Sequence, residues 1–564
     1  MVSTKTQEPV SPGNSVRLNW TAIVVFSFLI SAAVLLLRYQ FAAGFWGEEP
    51  YGLATPLRYW MGDRPLVDSW DTNFSWSIVA MPFVGFWINT IGSTDGILLA
   101  YRGFFYLMTI FAAVAAYAAL KDHMARWLAL TVGLLIVLYL PYQSPFGYGA
   151  DVQWHMIAPF AALWVFSHKK AGLVNALPGL LTGMGIVAHP PTIVVVPFFA
   201  AALWFAYRDS GERPLRVVGW YSLGLFSIGF IFLAALSWLS GPELFSSVGH
   251  WAAPDDHDFG IFAQLRNAWA ARWVFVVPLV IGISCGLAGR ILPKHRAHWT
   301  VAITLASCLA ASLWTVATDR VMLIFSPQSI LFMVSAGLYI MFLISGRTPK
   351  AAWRWLLLLP AIGVGLGWFL GSNQGVFTGV QASPLLLATA LSYWPATEHS
   401  AKQSDAQRLP SIALLWTLIL AVAVFGMAWT PLGPVAAMTT VVDRGPFKGI
   451  RTFPSDAAAH ARVYNTLKAL PPIEGRIAFI ERMPVGYLID GSLPGTYSTW
   501  LTSATSERMN DYLDQTGNIP ARVVLARFPA EGPDGFPASV RLRGFPSLYD
   551  EVYFDDDIRV YDAR

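Results

Sequence analysis

Residues 20–37 read WTAIVVFSFLISAAVLLL, and residues 46–71, a few positions on, read WGEEPYGLATPLRYWMGDRPLVDSWD. The first stretch carries no charge and approaches the ~20 apolar residues that an α-helix needs to cross a bilayer. Lys5 and Arg17 precede it and no clear small-residue cleavage site follows. It therefore reads as an uncleaved first span with the N-terminus in the cytoplasm. The second stretch sets an acidic pair, Glu48 and Glu49, just beyond that span, at the membrane–water boundary.

Composition agrees with a membrane protein. Of 564 residues, 55% are hydrophobic and 13% charged, and mean hydropathy is +0.50. A soluble domain carries about 25% charged residues, and single soluble cores stop growing near ~250–300 residues. A soluble enzyme, a disordered chain and a fibre are excluded. The 24 Trp and 36 Phe suit aromatic belts at bilayer interfaces. Net charge is only +4, with no basic run suited to nucleic acid. Cys285 and Cys308 each sit in an apolar run and offer neither a disulfide framework nor metal-ligand spacing.

Further spans are expected near 97–120, 127–142, 154–168, 172–188, 191–207, 217–239, 273–290, 299–318, 321–344, 353–371, 376–394 and 409–429, about thirteen transmembrane helices in all. An odd number puts the C-terminus outside. Loop charges support this orientation. The expected cytoplasmic loops hold Lys121 and Arg126, Lys169 and Lys170, Arg208, Arg213 and Arg216, Arg290, Lys294 and Arg296, Arg347, Lys350 and Arg354, and Lys402 and Arg408. The opposite loops hold few positive charges, among them Arg58, Arg64, Arg266, Arg272 and Arg320, in line with the positive-inside rule. Residues 77–92 are apolar enough to suggest one more span. Counting them would invert the later loops, so they are read as a helix lying in the outer interface. The expected organisation is a cytoplasmic tail over 1–19, a transmembrane domain over 20–429 and an extracytoplasmic α/β domain over 430–564. Two outer loops, 38–96 and 240–272, are long. In the C-terminal part, short apolar patches at 477–480 and 523–526 alternate with a helical stretch near 456–470.

A carboxylate partly desolvated at the membrane edge has a raised pKa and can act as a general base. On the residues alone, Glu48 and Glu49 are either such groups or solvated loop charges. Asp255-Asp256-His257-Asp258 is either a solvated loop or a site for a hard divalent cation such as Mg²⁺ or Mn²⁺. No Gly-rich phosphate loop is present, which argues against a nucleotide-sugar donor and against an ATP-driven pump.

The first outer loop resembles that of the GT-C membrane glycosyltransferases, the superfamily of the protein O-mannosyltransferases and the lipid A aminoarabinose transferases. Glu48-Glu49 stands where the family has its acidic pair. Gly62 to Asp68 matches the turn that follows, and the stretch from Asn73 to Gly92 matches an interfacial helix. Arg102 matches a recurrent arginine of the second span. Asp151 falls in the outer loop between the third and fourth spans, where the family often has an acid. Gly185-Ile186-Val187-Ala188-His189-Pro190 resembles the outer turn between the fifth and sixth, with His189 in place of a lysine. The resemblance covers roughly residues 20–210.

The resemblance implies an α-helical polytopic GT-C fold and an inverting enzyme. A sugar would pass from a polyprenyl-phosphate donor to a lipid, glycan or protein acceptor at the outer face of a bacterial-type plasma membrane. Glu48 aligns with the family's usual catalytic acid, with Glu49 second. Arg58, Arg102 and His189 are the candidates for the donor phosphate. A solvated helix face, a snorkelling arginine and a helix-end histidine are their plainer readings. Asp68, Asp151 and His155 are candidates for orienting groups or the acceptor. No cofactor is required, a divalent cation is compatible, and no metal ligand is assigned. Two other readings stand beside this one. An O-antigen ligase or polymerase also uses lipid-linked donors, but lacks the early acidic pair. A transporter places its charges near the bilayer midplane and shows repeats, which this sequence lacks.

Overall fold

The structure is a computed structural model. It describes residues 41–45, 48–71, 74–139, 150–169, 172–251, 261–270, 272–292, 297–318, 326–346, 351–371, 379–394, 409–430, 433–480, 483–500, 506–526, 542, 544–554 and 558–564. The expected first span and the Asp255–Asp258 loop of the sequence lie outside the described residues.

The chain is mostly helical. Helices α1 (Glu48–Trp60) and α2 (Phe74–Ile91) lie in the segment 38–96, read from the sequence as the first outer loop. The bundle follows as α3 (Ile97–Leu120), α4 (Arg126–Tyr139), α5 (Asp151–Ser167), α6 (Leu177–Ala188), α7 (Val195–Tyr207) and α8 (Pro214–Ser240). Two short helices, α9 (Leu244–Trp251) and α10 (Ile261–Ala270), lead into α11 (Trp273–Ile291) and α12 (Ala297–Thr318). The bundle ends with α13 (Ser326–Ile344), α14 (Trp355–Gly371), α15 (Ser383–Leu391) and α16 (Leu409–Ala428). Among the described residues, eight helical segments are long and apolar enough to cross a membrane, and four shorter apolar helices accompany them.

Bundle helices carry little amphipathic pattern because both their faces meet apolar surroundings, core on one side and exposed Leu, Phe and Ile on the other. Small residues let them approach closely. At Gly179 of α6 and Gly224 of α8 an added Cβ would collide with the carbonyl oxygens of Tyr221 and Ala176.

Beyond residue 430 the chain forms helices α17 (Pro454–Ala469), α18 (Pro484–Asp490) and α19 (Ser506–Thr516) and strands β1 (Arg476–Ile480), β2 (Pro520–Ala526), β3 (Tyr549–Phe554) and β4 (Ile558–Ala563). The sheet order is β1-β2-β4-β3. Strands β1 and β2 run parallel, and the other neighbours are antiparallel. Both expected apolar patches fall on the parallel pair, and the expected helical stretch is α17.

This C-terminal unit is not packed as a separate body. One apolar cluster joins Phe45, Leu53, Leu57 and Trp76 of the first loop to Phe447, Phe479 and Tyr487. A second receives Trp70, whose ring meets Tyr512 edge-on at 5.3 Å, among Ile480, Met509 and Val523.

Helix α2 shows how the loop lies. It is among the segments long and apolar enough to span a membrane. Yet the residues at both its ends meet the C-terminal unit. Before it, the Ser498 hydroxyl donates to Asp71 at 3.0 Å. After it, the Thr94 hydroxyl donates to Leu488 O at 2.6 Å, and Gly96 N donates to Gly445 O at 3.0 Å. An 18-residue helix is ~27 Å long. With both ends on one unit, α2 lies along it rather than running away from it.

Candidate functional site

Helix α1 opens with the acidic pair, where the unpaired N–H groups of a helix start favour negative charge. Glu49 is fully buried. Arg102 Nε donates to its Oε1 at 2.7 Å and Nη2 to its Oε2 at 2.6 Å, a two-pronged ion pair. The same guanidinium donates to Phe41 O, Ala43 O and Gly44 O at 3.1, 3.3 and 2.7 Å. Arg102 thus fixes both the carboxylate and the turn leading to it. Burial pushes the Glu49 carboxyl above its ordinary range, and the charge and hydrogen bonds of Arg102 oppose that rise. Glu48 is the first residue of α1, and its side chain lies outside the described residues.

Arg58, near the end of α1, is buried and closes a clasp. Its Nε donates to Asp63, Nη1 to Thr496 O at 2.6 Å, and Nη2 to Tyr512 OH at 2.9 Å and to Asp68 O. Asp63 also accepts from Arg476 at 2.6 and 2.9 Å. Gly62, at φ +110°, supplies the backbone freedom for the turn into Asp63. The cation proposed for a phosphate is therefore engaged between the first loop and the C-terminal unit.

Asp68 pairs with Arg64, whose backbone N and Nε both reach Oδ2 at 2.9 Å. Burial alone would raise the Asp68 carboxyl, but these hydrogen bonds and the Arg64 charge overcome it and hold it below its usual range. Asp68 closes the turn it was matched to.

Asp151, His155 and His189 come together at one end of the bundle. Asp151 and His155 are one turn apart on α5, and both are buried. Asp151 Oδ2 is buried and has no hydrogen-bond partner among the described residues. His189 follows the last residue of α6 and stacks on Trp368, with centroids 4.2 Å apart and planes at 16°. Thr192 links the histidines. Its hydroxyl donates to His189 O at 2.6 Å, and its oxygen lies 2.8 Å from His155 Nε2. One hydroxyl has one proton, so His155 Nε2 must be the donor in the second contact. Gly185 makes room for the His155 ring, since a Cβ there would lie 2.6 Å from Cε1.

Ala150 and Ala188, the neighbours of Asp151 and His189, share an apolar cluster with Phe45, Leu53 and Tyr101. One extended apolar cluster, which also reaches the C-terminal unit, thus joins the surroundings of Glu49 and Arg102 to those of Asp151 and His189. Sequence reasoning missed Asp63, Asp71, Thr192, Trp368, Arg476 and Ser498. Nothing local in the sequence marks them. Among the described residues no group of three His, Cys, Asp or Glu side chains is placed to hold a metal ion.

No protein-family model and no curated protein matches the chain. In structure it is similar to the Archaeoglobus fulgidus oligosaccharyltransferase, solved as a complex with Zn and sulfate, with a TM-score of 0.47 and 12% identity over 88% of this chain and 67% of that one. It is also similar to ArnT from Cupriavidus metallidurans in the apo state, with a TM-score of 0.43 and 12% identity over 96% of this chain and 98% of that one.

Proposed function

We propose that this integral membrane protein is an inverting glycosyltransferase of the GT-C kind, which moves a sugar from a polyprenyl phosphate to a lipid, glycan or protein acceptor at the outer membrane face. The proposal keeps thirteen spans, a cytoplasmic N-terminus and an extracytoplasmic C-terminal unit. The observation that carries it is the state of the acidic pair. Glu49 is locked by Arg102, so the base role falls to Glu48, its neighbour at the start of α1.

The reaction then needs two things of the chain. Glu48 takes the proton of the acceptor hydroxyl as its oxygen bonds to the anomeric carbon from the face opposite the phosphate. The bond from that carbon to the phosphate oxygen breaks, and the phosphate leaves with the electron pair. A cation or N–H donor must meet the growing charge. Arg58 and Arg102 are engaged within the protein, and His189, at the end of α6, is the third candidate for this role. Asp151, with one oxygen unpartnered among the described residues, is suited to accept from a sugar or acceptor hydroxyl, and His155 is one turn away on α5. No divalent cation has a step in this scheme.

The test is deletion of the gene, with wild type restored from a plasmid, and mass spectrometry of membrane lipids and surface glycans. Accumulation of one polyprenyl-phosphate sugar together with loss of one glycan residue supports the proposal. An unchanged lipid and glycan profile overturns it.

A further inference from the structure

Asp71 is fully buried. Among the described residues it accepts from the hydroxyls of Tyr51 on Oδ1 and of Thr55 and Ser498 on Oδ2, the latter two at 3.0 Å each. Tyr51 and Thr55 are one turn apart on α1, so they share a face. Tyr51 follows Glu49 by two residues. Further contacts come from the C-terminal unit. The Thr499 and Thr55 hydroxyls lie 2.7 Å apart, and the Trp500 ring lies 5.6 Å from that of Tyr51.

We infer that Asp71 is a positioning residue: it pins the acidic start of α1 to the segment around Ser498–Trp500, so that the C-terminal unit sets the placement of the acidic pair. The inference rests on the transferase proposal for the chemistry it positions, but not for the mechanical link. Arg102 holds this turn from the bundle side through Glu49. Asp71 ties the same helix to the C-terminal unit, through the Tyr51, Thr55 and Ser498 hydroxyls. A carboxylate suits the task because it accepts from several donors and donates nothing. Misplacing a catalytic group by ~1 Å costs about 100-fold in rate.

The test uses the full chain in detergent micelles, with hydrogen exchange followed peptide by peptide, and glycan mass spectrometry in the deletion strain. Asp71→Asn should speed exchange over 48–60 by about 10-fold, as a local opening does. Exchange over Pro454–Ala469 should stay unchanged, and product should fall about 100-fold. Adding Thr55→Cys with Thr499→Cys under oxidising conditions replaces the polar tether by a covalent one. It should restore both slow exchange and product, and reductant should abolish the rescue. Unchanged exchange overturns the inference, and so does faster exchange with full product. Loss of product that the tether does not rescue means Asp71 acts in another way, which also overturns it. If Asp71→Asn does not accumulate, Ser498→Ala removes one donor and should raise exchange over 48–60 several-fold; no rise overturns the inference. If Glu48→Gln proves silent while the tether still controls exchange, the transferase proposal has failed and the mechanical link has not.

Discussion

Glu49 and Arg102 form a buried, two-pronged ion pair that joins the first turn of α1 to the start of α3. Removing one partner of such a pair leaves a charge with neither water nor counter-ion. Glu49→Gln should therefore destabilise the protein by about 3–5 kcal/mol. Replacing both partners, as Glu49→Gln with Arg102→Met, should cost much less than the two single changes summed. Thermal unfolding of the purified variants measures this. Additive losses would mean the two side chains do not depend on each other.

Arg58 makes its contacts across the seam between the first loop and the C-terminal unit. Arg58→Ala strands Asp63 with Arg476 alone and uncovers Thr496 O and the Tyr512 hydroxyl. The expected loss is about 3–5 kcal/mol. Arg58→Lys should recover little of it, because an ammonium cannot reproduce the planar fork of N–H groups. A phosphate-binding role alone predicts the reverse, normal stability and impaired activity. Unfolding curves and product levels measured together separate the two.

Gly185 touches the ring of His155. Gly185→Ala pushes a methyl to 2.6 Å from Cε1, so the ring must leave Thr192. Overpacking of this kind costs about 1–3 kcal/mol. Adding His155→Ala should return most of that cost, since the clash vanishes with the ring. If the double variant is less stable than Gly185→Ala, the contact is not the source of the loss.

His460 of α17 is buried against Phe45 and Phe447. Burial lowers its pKa to about 4, from the ~6.5 of a free imidazole. Between those values the unfolded chain binds a proton that the folded one refuses. The contribution is thus fully present above the unfolded pKa and is lost as pH falls toward 4. Stability should decline across that window, on the order of 2–3 kcal/mol. His460→Phe should flatten the decline. Parallel pH curves for wild type and His460→Phe would remove His460 as the cause.

The bundle was legible because a bilayer demands long apolar runs. Among the described residues, helical segments fall within each of the stretches expected between 97 and 429, and all but one of the eight segments long and apolar enough to cross a membrane lie there. Hydropathy could not place α2, whose composition suits a span and whose two ends nevertheless meet the C-terminal unit. Strands β1 and β2 announced themselves as short apolar patches, but their pairing did not. At the site, the residues of the loop motif were legible and their partners were not. Arg58 with Thr496, Asp63 with Arg476, and Asp71 with Ser498 join positions more than 400 residues apart. Periodicity records which face is buried, not what it is buried against. That is why Arg58 reads as an available cation in the sequence and is enclosed in the fold.

The central claim is that Glu48 takes the acceptor proton while Glu49 serves the fold. The most direct measurement is glycan and lipid mass spectrometry of the deletion strain carrying Glu48→Gln, with the unfolding temperature of the same purified variant. The account predicts wild-type stability and a product level lower by about 10²–10⁴-fold, with the polyprenyl-phosphate sugar accumulating. A Glu48→Gln strain with the wild-type glycan profile would contradict it.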